Sequence, residues 1–451
     1  MTQTTTFENF SNGLTARAPC EGKLHKEHYT SADFMQREWE EVWTQCWLHA
    51  GLVSDLEEAG DYFTFELGRE SIVVTRQEDD SLAAFYNVCQ HRGNRIFSNR
   101  SGSVNEIVCP YHGWRYTLAG ELCKVPDAER FHPPVDSAQR SLKPVRLETW
   151  AGLVWVNMNA DAQPLRHYLG DIVDQLTPYH FENMVLAQHQ SVSLATNWKT
   201  ARDNFLEQYH VDFIHPQHAS LVDCCNSHNA LLPLGHSWTR VEGYTTDSRY
   251  ALPETTPPHL VPLLAGIGLE PESFNGKVDA IRTAVQKQKR IIGAELGFDY
   301  GELSDDQVSD VWQYDIFPNL FMTIQAEEVW LCGPRPHPHD PNRCFFDKWT
   351  LQLPKEIATD DARGYALNPG LETSREQERA EYEQFSQQDV VDGKQSMTIT
   401  IDQDLYYLPD MQAGMHSRGF DHAVLNQDEQ RLQHFHDWLQ AWMENKVEAA
   451  K

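Results

Sequence analysis

Long apolar runs are missing from this sequence: no stretch approaches the roughly 18 uninterrupted apolar residues of a membrane span, so no embedding in a membrane is expected. Positive charge is also scarce. Lys and Arg number 37 against 66 Asp and Glu, a formal net charge of −29. That balance repels a phosphate backbone and argues against a nucleic-acid partner. Cysteine is sparse, nine residues in 451, whereas a secreted disulfide scaffold is short and cysteine-dense. Reduced thiols or metal ligands are the alternative. The opening residues, MTQTTTFENFSNG, carry neither a charged nor an apolar leader segment, and a soluble, cytoplasmic protein is expected. Internal repeats and low-complexity tracts are not seen either.

Apolar residues at 40% and charged residues at 23% are ordinary globular usage. A length of 451 fits two domains at roughly 100–200 residues each. Residues 31–47 place Met35, Trp39, Val42, Trp43 and Cys46 at helical spacing behind a Ser31 or Thr30 cap, which predicts a helix. From about Asp61 the period becomes two: Phe63, Phe65 and Leu67, then Gly68, then Ile72 to Thr75 and Leu82 to Val88. The expected organisation is α+β. An N-terminal helix in 1–45 packs on the second domain, and a small antiparallel β domain spans 46–163. A larger domain, 164–451, has an antiparallel sheet flanked by helices.

In that larger domain, strands are expected near 192–194, 317–325, 329–333 and 344–353, with Phe345, Trp349, Leu351 and Leu353 on one face. Residues 197–215 look helical as far as Pro216 allows. The run 398–401 looks strand-like, 371–393 reads as a solvated acidic helix, and 424–447 as a closing helix.

Two tight clusters stand out in the β domain, Cys89-Gln90-His91 and Cys109-Pro110-Tyr111-His112, in the pattern C-x-H-x17-C-x2-H. Zinc fingers pair Cys with Cys and His with His along the chain. Here each loop offers one Cys and one His, so the ligands can be sorted over two irons, as in a Rieske [2Fe–2S] centre. Neutral imidazoles remove negative charge from such a cluster and make the reduced form easier to reach. Gly93 and Gly113 suit loops whose N–H groups approach sulfides closely.

A second constellation is Glu207, His210 and His215, E-x2-H-x4-H. Two imidazoles with a distant carboxylate make the facial triad of non-haem Fe(II) oxygenases. Five residues of ideal helix turn about 500°, so the two imidazoles would not share a face unless the helix loosens or ends between them. Asn204 lies three residues before Glu207, facing either a substrate pocket or its own helix.

The segment CQHRG…CPYHGW resembles the Rieske domain of aromatic-ring-hydroxylating oxygenase α subunits, and Asn197-Trp198-Lys199 through His215-Pro216 resembles their catalytic-domain signature. The resemblance implies that Cys89, His91, Cys109 and His112 bind [2Fe–2S], and that His210 and His215 bind mononuclear Fe(II). It further implies that Glu207 bridges His210 to His112 of the partner subunit in a trimer. Asp404, eight residues before Gln412, matches the family's third ligand, with Asp402 as the alternative. Electrons would come from a separate NAD(P)H-dependent reductase, with or without a ferredoxin, because no nucleotide fingerprint is visible. The assembly would be α3, or α3β3 with a second subunit, taking O2 and a small organic substrate.

Ring hydroxylation or cis-dihydroxylation is the first functional expectation. Oxidation of a quaternary ammonium compound is the alternative: Glu207 replaces the Asp commoner in ring dioxygenases and matches several choline-, betaine- and carnitine-type members. Gln208, however, stands where those members have Cys. A Rieske electron carrier without oxygenase activity is the rival of another class. The remaining features carry less. Cys224-Cys225 is taken as structural, His337 and His339 as a solvated connector, and Cys123 as packing beneath the cluster loops. The 13 Trp are taken as mostly core, with some free to cage a cation.

Overall fold

The computed structural model describes residues 24–296, 300–354 and 380–444. It divides into two compact units, residues 37–169 on one side and residues up to 36 with those from 170 onward on the other. The fold is α+β, mixing helices with antiparallel sheet.

The smaller unit is a seven-stranded antiparallel sheet. Asp61–Leu67, Glu70–Arg76 and Leu82–Tyr86 form its meander, and Pro144–Trp150, Leu153–Asn157, Leu48–Leu52 and Ser101–Ser103 complete it. Burial on both faces is the physical cause: the consecutive β-branched residues Ile72, Val73 and Val74 are all fully buried, so these strands do not alternate in and out as the sequence pattern suggested. A second, three-stranded sheet of Ile107–Val108, Arg115–Tyr116 and Leu122–Lys124 sits beside a core containing Phe85, Phe97, Trp114, Tyr116, Cys89 and Cys109. The helix expected over 31–47 forms as Ala32–Glu38 and then widens into a π-type turn, Trp39–Trp43.

The larger unit carries an eight-stranded sheet. From one edge its strands are Val222–Leu231, Ser237–Gly243, Val311–Ile316, Leu320–Gln325, Glu328–Pro336, Cys344–Gln352, Val185–Leu194 and Tyr382–Ser386. All pairs are antiparallel except the last, Val185–Leu194 with Tyr382–Ser386. Cys344–Gln352 is buried on both faces: Phe346, Lys348 and Thr350 are covered as fully as Trp349 and Leu351. Phe345, Trp349 and Leu351 do share one face, and the other face is covered as well.

Two more expectations change. Residues 398–401 are not a strand: Thr398 caps a helix, Ile399–Met415, by accepting a hydrogen bond from the Ile401 N–H. Tertiary context overrides the β-propensity of Ile and Thr there. In the acidic stretch, 380–393 forms a strand and a short helix, Gln387–Val391, in place of a solvated helix; 371–379 lie outside the described residues. The closing helix, Gln430–Met443, buries Phe435, Trp438 and Trp442 completely. Truncating one of those indoles costs about 3–5 kcal/mol, so this helix anchors the unit.

Candidate metal centres

The two cluster loops of the smaller unit are built alike. In the first, the Cys89 N–H donates to Asn94 O at 2.8 Å and the Gly93 N–H to Cys89 O at 3.0 Å. In the second, Cys109 donates to Trp114 O at 2.8 Å and Gly113 to Cys109 O at 3.0 Å. Each loop turns on a glycine at positive φ, 77° at Gly93 and 69° at Gly113, a conformation that penalises a Cβ. Two copies of one loop thus present Cys-x-His and Cys-x2-His from a shared core.

Both cysteines are buried. Burial pushes the Cys89 thiol up, against hydrogen bonds from Tyr116 and the His91 backbone. Tyr116 Oη accepts the Gln90 N–H at 3.1 Å and lies 3.3 Å from Cys89 Sγ, to which it donates when the sulfur is a thiolate. The His91 and His112 rings are 4.5 Å apart between centroids, and His91 stacks on Trp114 at 4.9 Å and 3°. Buried His91 Nδ1 has no hydrogen-bond partner, a cost that a metal bond would remove. Neutral imidazoles are the ligand form, and burial with repulsion from His112 holds His91 below its ordinary pKa. His112 Nε2 lies 2.9 Å from Arg92. The donor set of two thiols and two imidazoles fits a Rieske cluster.

In the larger unit, Asn197 caps Trp198–Asp203, which tightens through Asn204–Leu206 and breaks at Glu207, whose backbone is extended. Helix resumes as Val211–Ile214 and stops with His215 as its C-cap. The helix does end before His215, as the spacing required, but the additional break at Glu207 was not foreseen. It frees the Glu207 side chain to fold back onto His210: Oε1 lies 2.5 Å from His210 Nδ1, and Oε2 accepts the His210 N–H at 3.1 Å. His215 Nδ1 lies 2.9 Å from Gln403 Oε1, which also accepts from Gln217 Nε2 at 2.8 Å. With each Nδ1–H held by an oxygen, each Nε2 keeps its lone pair free.

Those lone pairs converge. His215 Nε2 is 2.8 Å and His210 Nε2 3.5 Å from Asp404 Oδ1. Two imidazole nitrogens and a carboxylate oxygen facing one point fit a cation. The protein places His210, His215 and Asp404 within 4.8 Å of one another. Burial alone would pull His210 down, but hydrogen bonds to Asp404 and Glu207 outweigh it and hold the imidazole up, to about 10. Asp404 is pulled the other way, below the usual carboxylate range, because the two imidazoles overcome its burial. The metal-free site therefore favours a proton where an ion would sit.

Asp402 is separated from this point. Its Oδ1 accepts the Met397 N–H at 2.8 Å and its Oδ2 accepts from Ser396 Oγ at 2.5 Å, as part of the helix start. Asn204 lies in the tightened turn, its buried Nδ2 without a partner. Phe205 stacks on Phe321 at 4.3 Å and approaches Phe346 at 5.5 Å. Gln403 and Tyr116 had no role in the sequence reading, although each lies within two residues of a motif residue, Asp404 and Trp114. Cys123 is corrected: it is exposed, with Sγ 3.4 Å from Glu106 and 3.3 Å from the Arg115 carbonyl, because its strand lies at the sheet margin.

Comparison with known proteins agrees with both centres. The Rieske [2Fe–2S] domain model matches residues 46–146, and the ring hydroxylating alpha subunit (catalytic domain) model matches 181–445. The carnitine monooxygenase oxygenase subunit of Escherichia coli (strain K12) is 32% identical over 298 residues, covering 64% of this chain and 78% of the relative. The benzene 1,2-dioxygenase subunit alpha of Pseudomonas putida is 35% identical over 200 residues, 42% of this chain and 43% of the relative. Among solved structures, the quaternary ammonium Rieske monooxygenase CntA with an inhibitor superposes at a TM-score of 0.67 and 20% identity, covering 97% of this chain and 98% of the other. Naphthalene 1,2-dioxygenase with indole in its active site gives 0.67 and 18%, covering 96% and 95%. At those identities the structural matches speak to fold. Rieske oxygenases work with a separate reductase, often through a ferredoxin, and are often multimeric. Two cofactor sites and two matching domains lead to one conclusion: the chain belongs to the ring-hydroxylating oxygenase α-subunit family, oxygenases that join a Rieske [2Fe–2S] domain to a catalytic domain with mononuclear iron.

Proposed function

We propose that Cys89 and Cys109 hold one iron of the cluster and His91 and His112 the other, and that His210, His215 and Asp404 hold the mononuclear iron. The paired loops and the convergent donor atoms support this assignment. When bound, the two iron centres would supply electron transfer and O2 activation. The chain's own residues set the conditions. Glu207 and Gln403 fix the tautomer and tilt of the two imidazoles, and burial of His215 and Asp404 keeps water off their side of the triad.

The substrate class we infer is a quaternary ammonium compound. A carbon bonded to the cationic nitrogen is hydroxylated with one atom of O2, while the other leaves as water after uptake of two electrons and two protons. The hydroxylated product then breaks its C–N bond to give an amine, an aldehyde and a proton. Glu207 carries this reading, because a Glu in that position matches choline-, betaine- and carnitine-type members. The carnitine monooxygenase relative, matched over 78% of its length, adds support. A net charge of −29 also favours the approach of a cation. Ring hydroxylation is the second reading, supported by the Phe205–Phe321–Phe346 stack in the segment leading to the triad and by the benzene dioxygenase relative.

In this proposal three copies assemble, and Glu207 faces His112 of the partner subunit, carrying coupling between the two centres. A separate NAD(P)H-dependent reductase, with or without a ferredoxin, supplies the electrons. The test is a single turnover of chemically reduced protein with O2 and a panel of quaternary amines, methoxy-aromatics and plain aromatics. An amine and aldehyde pair from a quaternary amine supports the proposal. A diol or phenol from an aromatic, with no amine released, replaces it with ring oxidation.

A further inference from the structure

A second group of metal-type side chains lies in the larger unit, separate from both iron centres. Leu24–His25 and His422–Ala423 pair antiparallel as a short ribbon, with His25 directly opposite His422. The ribbon is held firmly. The Lys26 N–H donates to Asp421 O at 3.1 Å, and Lys26 Nζ donates to Phe420 O at 2.7 Å and Ser417 O at 3.0 Å. That ammonium is turned onto carbonyls, next to the histidines. His422 Nδ1 lies 2.9 Å from Asp421 Oδ2, and the His25 and His422 rings are 5.8 Å apart between centroids. One donor atom from each of His25, Asp421 and His422 falls within 4.8 Å of the other two. His28, three residues on in the helix Glu27–Thr30, sits with its ring 6.5 Å from that of His25 and stacks on Phe34 at 4.6 Å.

We propose that His25, Asp421 and His422 form a binding site for one divalent transition ion, zinc being the best match, with a fourth position open to His28 or water. Two imidazoles and one carboxylate suit zinc and its borderline neighbours. A single carboxylate is too few oxygens for calcium, which takes six to eight. The three donors come from two segments almost 400 residues apart in sequence, so the site exists only in the folded chain and the ion stabilises the fold by mass action. What it secures matters for the iron triad. Tyr29, four residues beyond His25, donates from Oη to Asp203 Oδ2 at 2.6 Å, and its carbonyl accepts from Asn197 Nδ2 at 3.0 Å. Asn197 caps the helix that runs into Glu207 and His210. The ion would staple the N-terminal segment onto the element that positions the catalytic histidine.

The experiment uses protein carrying its cluster and iron, freed of loose metal on a chelating resin. It is titrated with zinc chloride in competition with a chromophoric chelator, and iron and zinc are counted by emission spectrometry. The expected result is one zinc per chain taken up without loss of iron, with the thermal midpoint raised as zinc increases. His25→Ala and His422→Ala each weaken uptake at least tenfold, and the double variant abolishes it. His339→Ala, an exposed histidine on another loop, leaves it unchanged. Both target side chains lie at the surface or half-buried, and circular dichroism matching the parent shows that the variants fold. Equal zinc uptake by the double variant, or uptake only in exchange for iron, overturns the proposal.

Discussion

Gln403 Oε1 accepts a hydrogen bond from His215 Nδ1 at 2.9 Å, and the next residue, Asp404, meets the far side of the same ring at Nε2. One turn of helix therefore both orients the imidazole and supplies the carboxylate opposite it. Replacing Gln403 by Ala removes the acceptor that selects the tautomer. Mononuclear iron should then bind about 10–100-fold more weakly, with the cluster absorbance unchanged. Iron titration followed by visible spectroscopy measures both in one sample.

The two acids of the 399–415 helix separate by substitution. Asp404→Ala should lower the iron content from three to two per chain while keeping the cluster chromophore. Asp402→Ala should keep all three irons and cost about 0.5–2 kcal/mol of stability, the usual range for losing a helix-start acceptor. Two irons in the parent protein would revive the electron-carrier alternative.

Glu207→Gln keeps the size of the side chain and removes its charge. His210 Nδ1–H loses a carboxylate acceptor 2.5 Å away, and product per turnover should fall about 10–100-fold with both metal centres still loaded. Glu207→Asp, one methylene shorter, should recover part of the rate. Full activity in Glu207→Gln would remove this residue from the coupling between centres.

Tyr116 Oη lies 3.3 Å from Cys89 Sγ and donates to it when the sulfur is a thiolate ligand. A hydrogen bond to a thiolate ligand stabilises the reduced cluster, and one worth about 1 kcal/mol corresponds to about 40 mV for one electron. Tyr116→Phe should lower the cluster potential by that order. Redox titration of the isolated oxygenase reads it directly.

Acid should destabilise the larger unit before the carboxylates titrate. Burial, reinforced by repulsion from Arg202 and Arg431, holds His434 down at about 4 against an ordinary 6.5. Its Nε2 lies 2.9 Å from the Leu232 carbonyl. Because the folded pKa is depressed, the unfolded chain binds the extra proton between those values. The contribution is complete above pH 6.5 and is lost as pH falls through 4, about 3 kcal/mol in all. His434→Gln should flatten the dependence of unfolding free energy on pH in that window, followed by urea unfolding at several pH values.

Much of this was legible in the chain. The cluster loops are local objects: each ligand pair spans three or four residues, and a glycine at positive φ closes each loop. Spacing alone carried the chemistry. The strands of the small unit were equally readable from their apolar and β-branched runs, although both faces are buried and period two did not describe them. Thr398 to Ile401 misled, since β-branched residues favour a strand unless a cap and a packed face select helix.

The amino-acid sequence by itself determined the family and its two kinds of cofactor, and it singled out the histidines proposed here as ligands, since those clusters depend on residues close together in the chain. Tertiary structure decided the rest. It buried Asp404 beside the imidazoles and spent Asp402 on a helix start, which is what favours Asp404 in the proposed triad. It also brought Gln403 to His215 and His25 to His422. Those partners lie nearly 190 and 400 residues apart, and only the packing of helices and strands, driven by burial of their apolar faces, sets such distances.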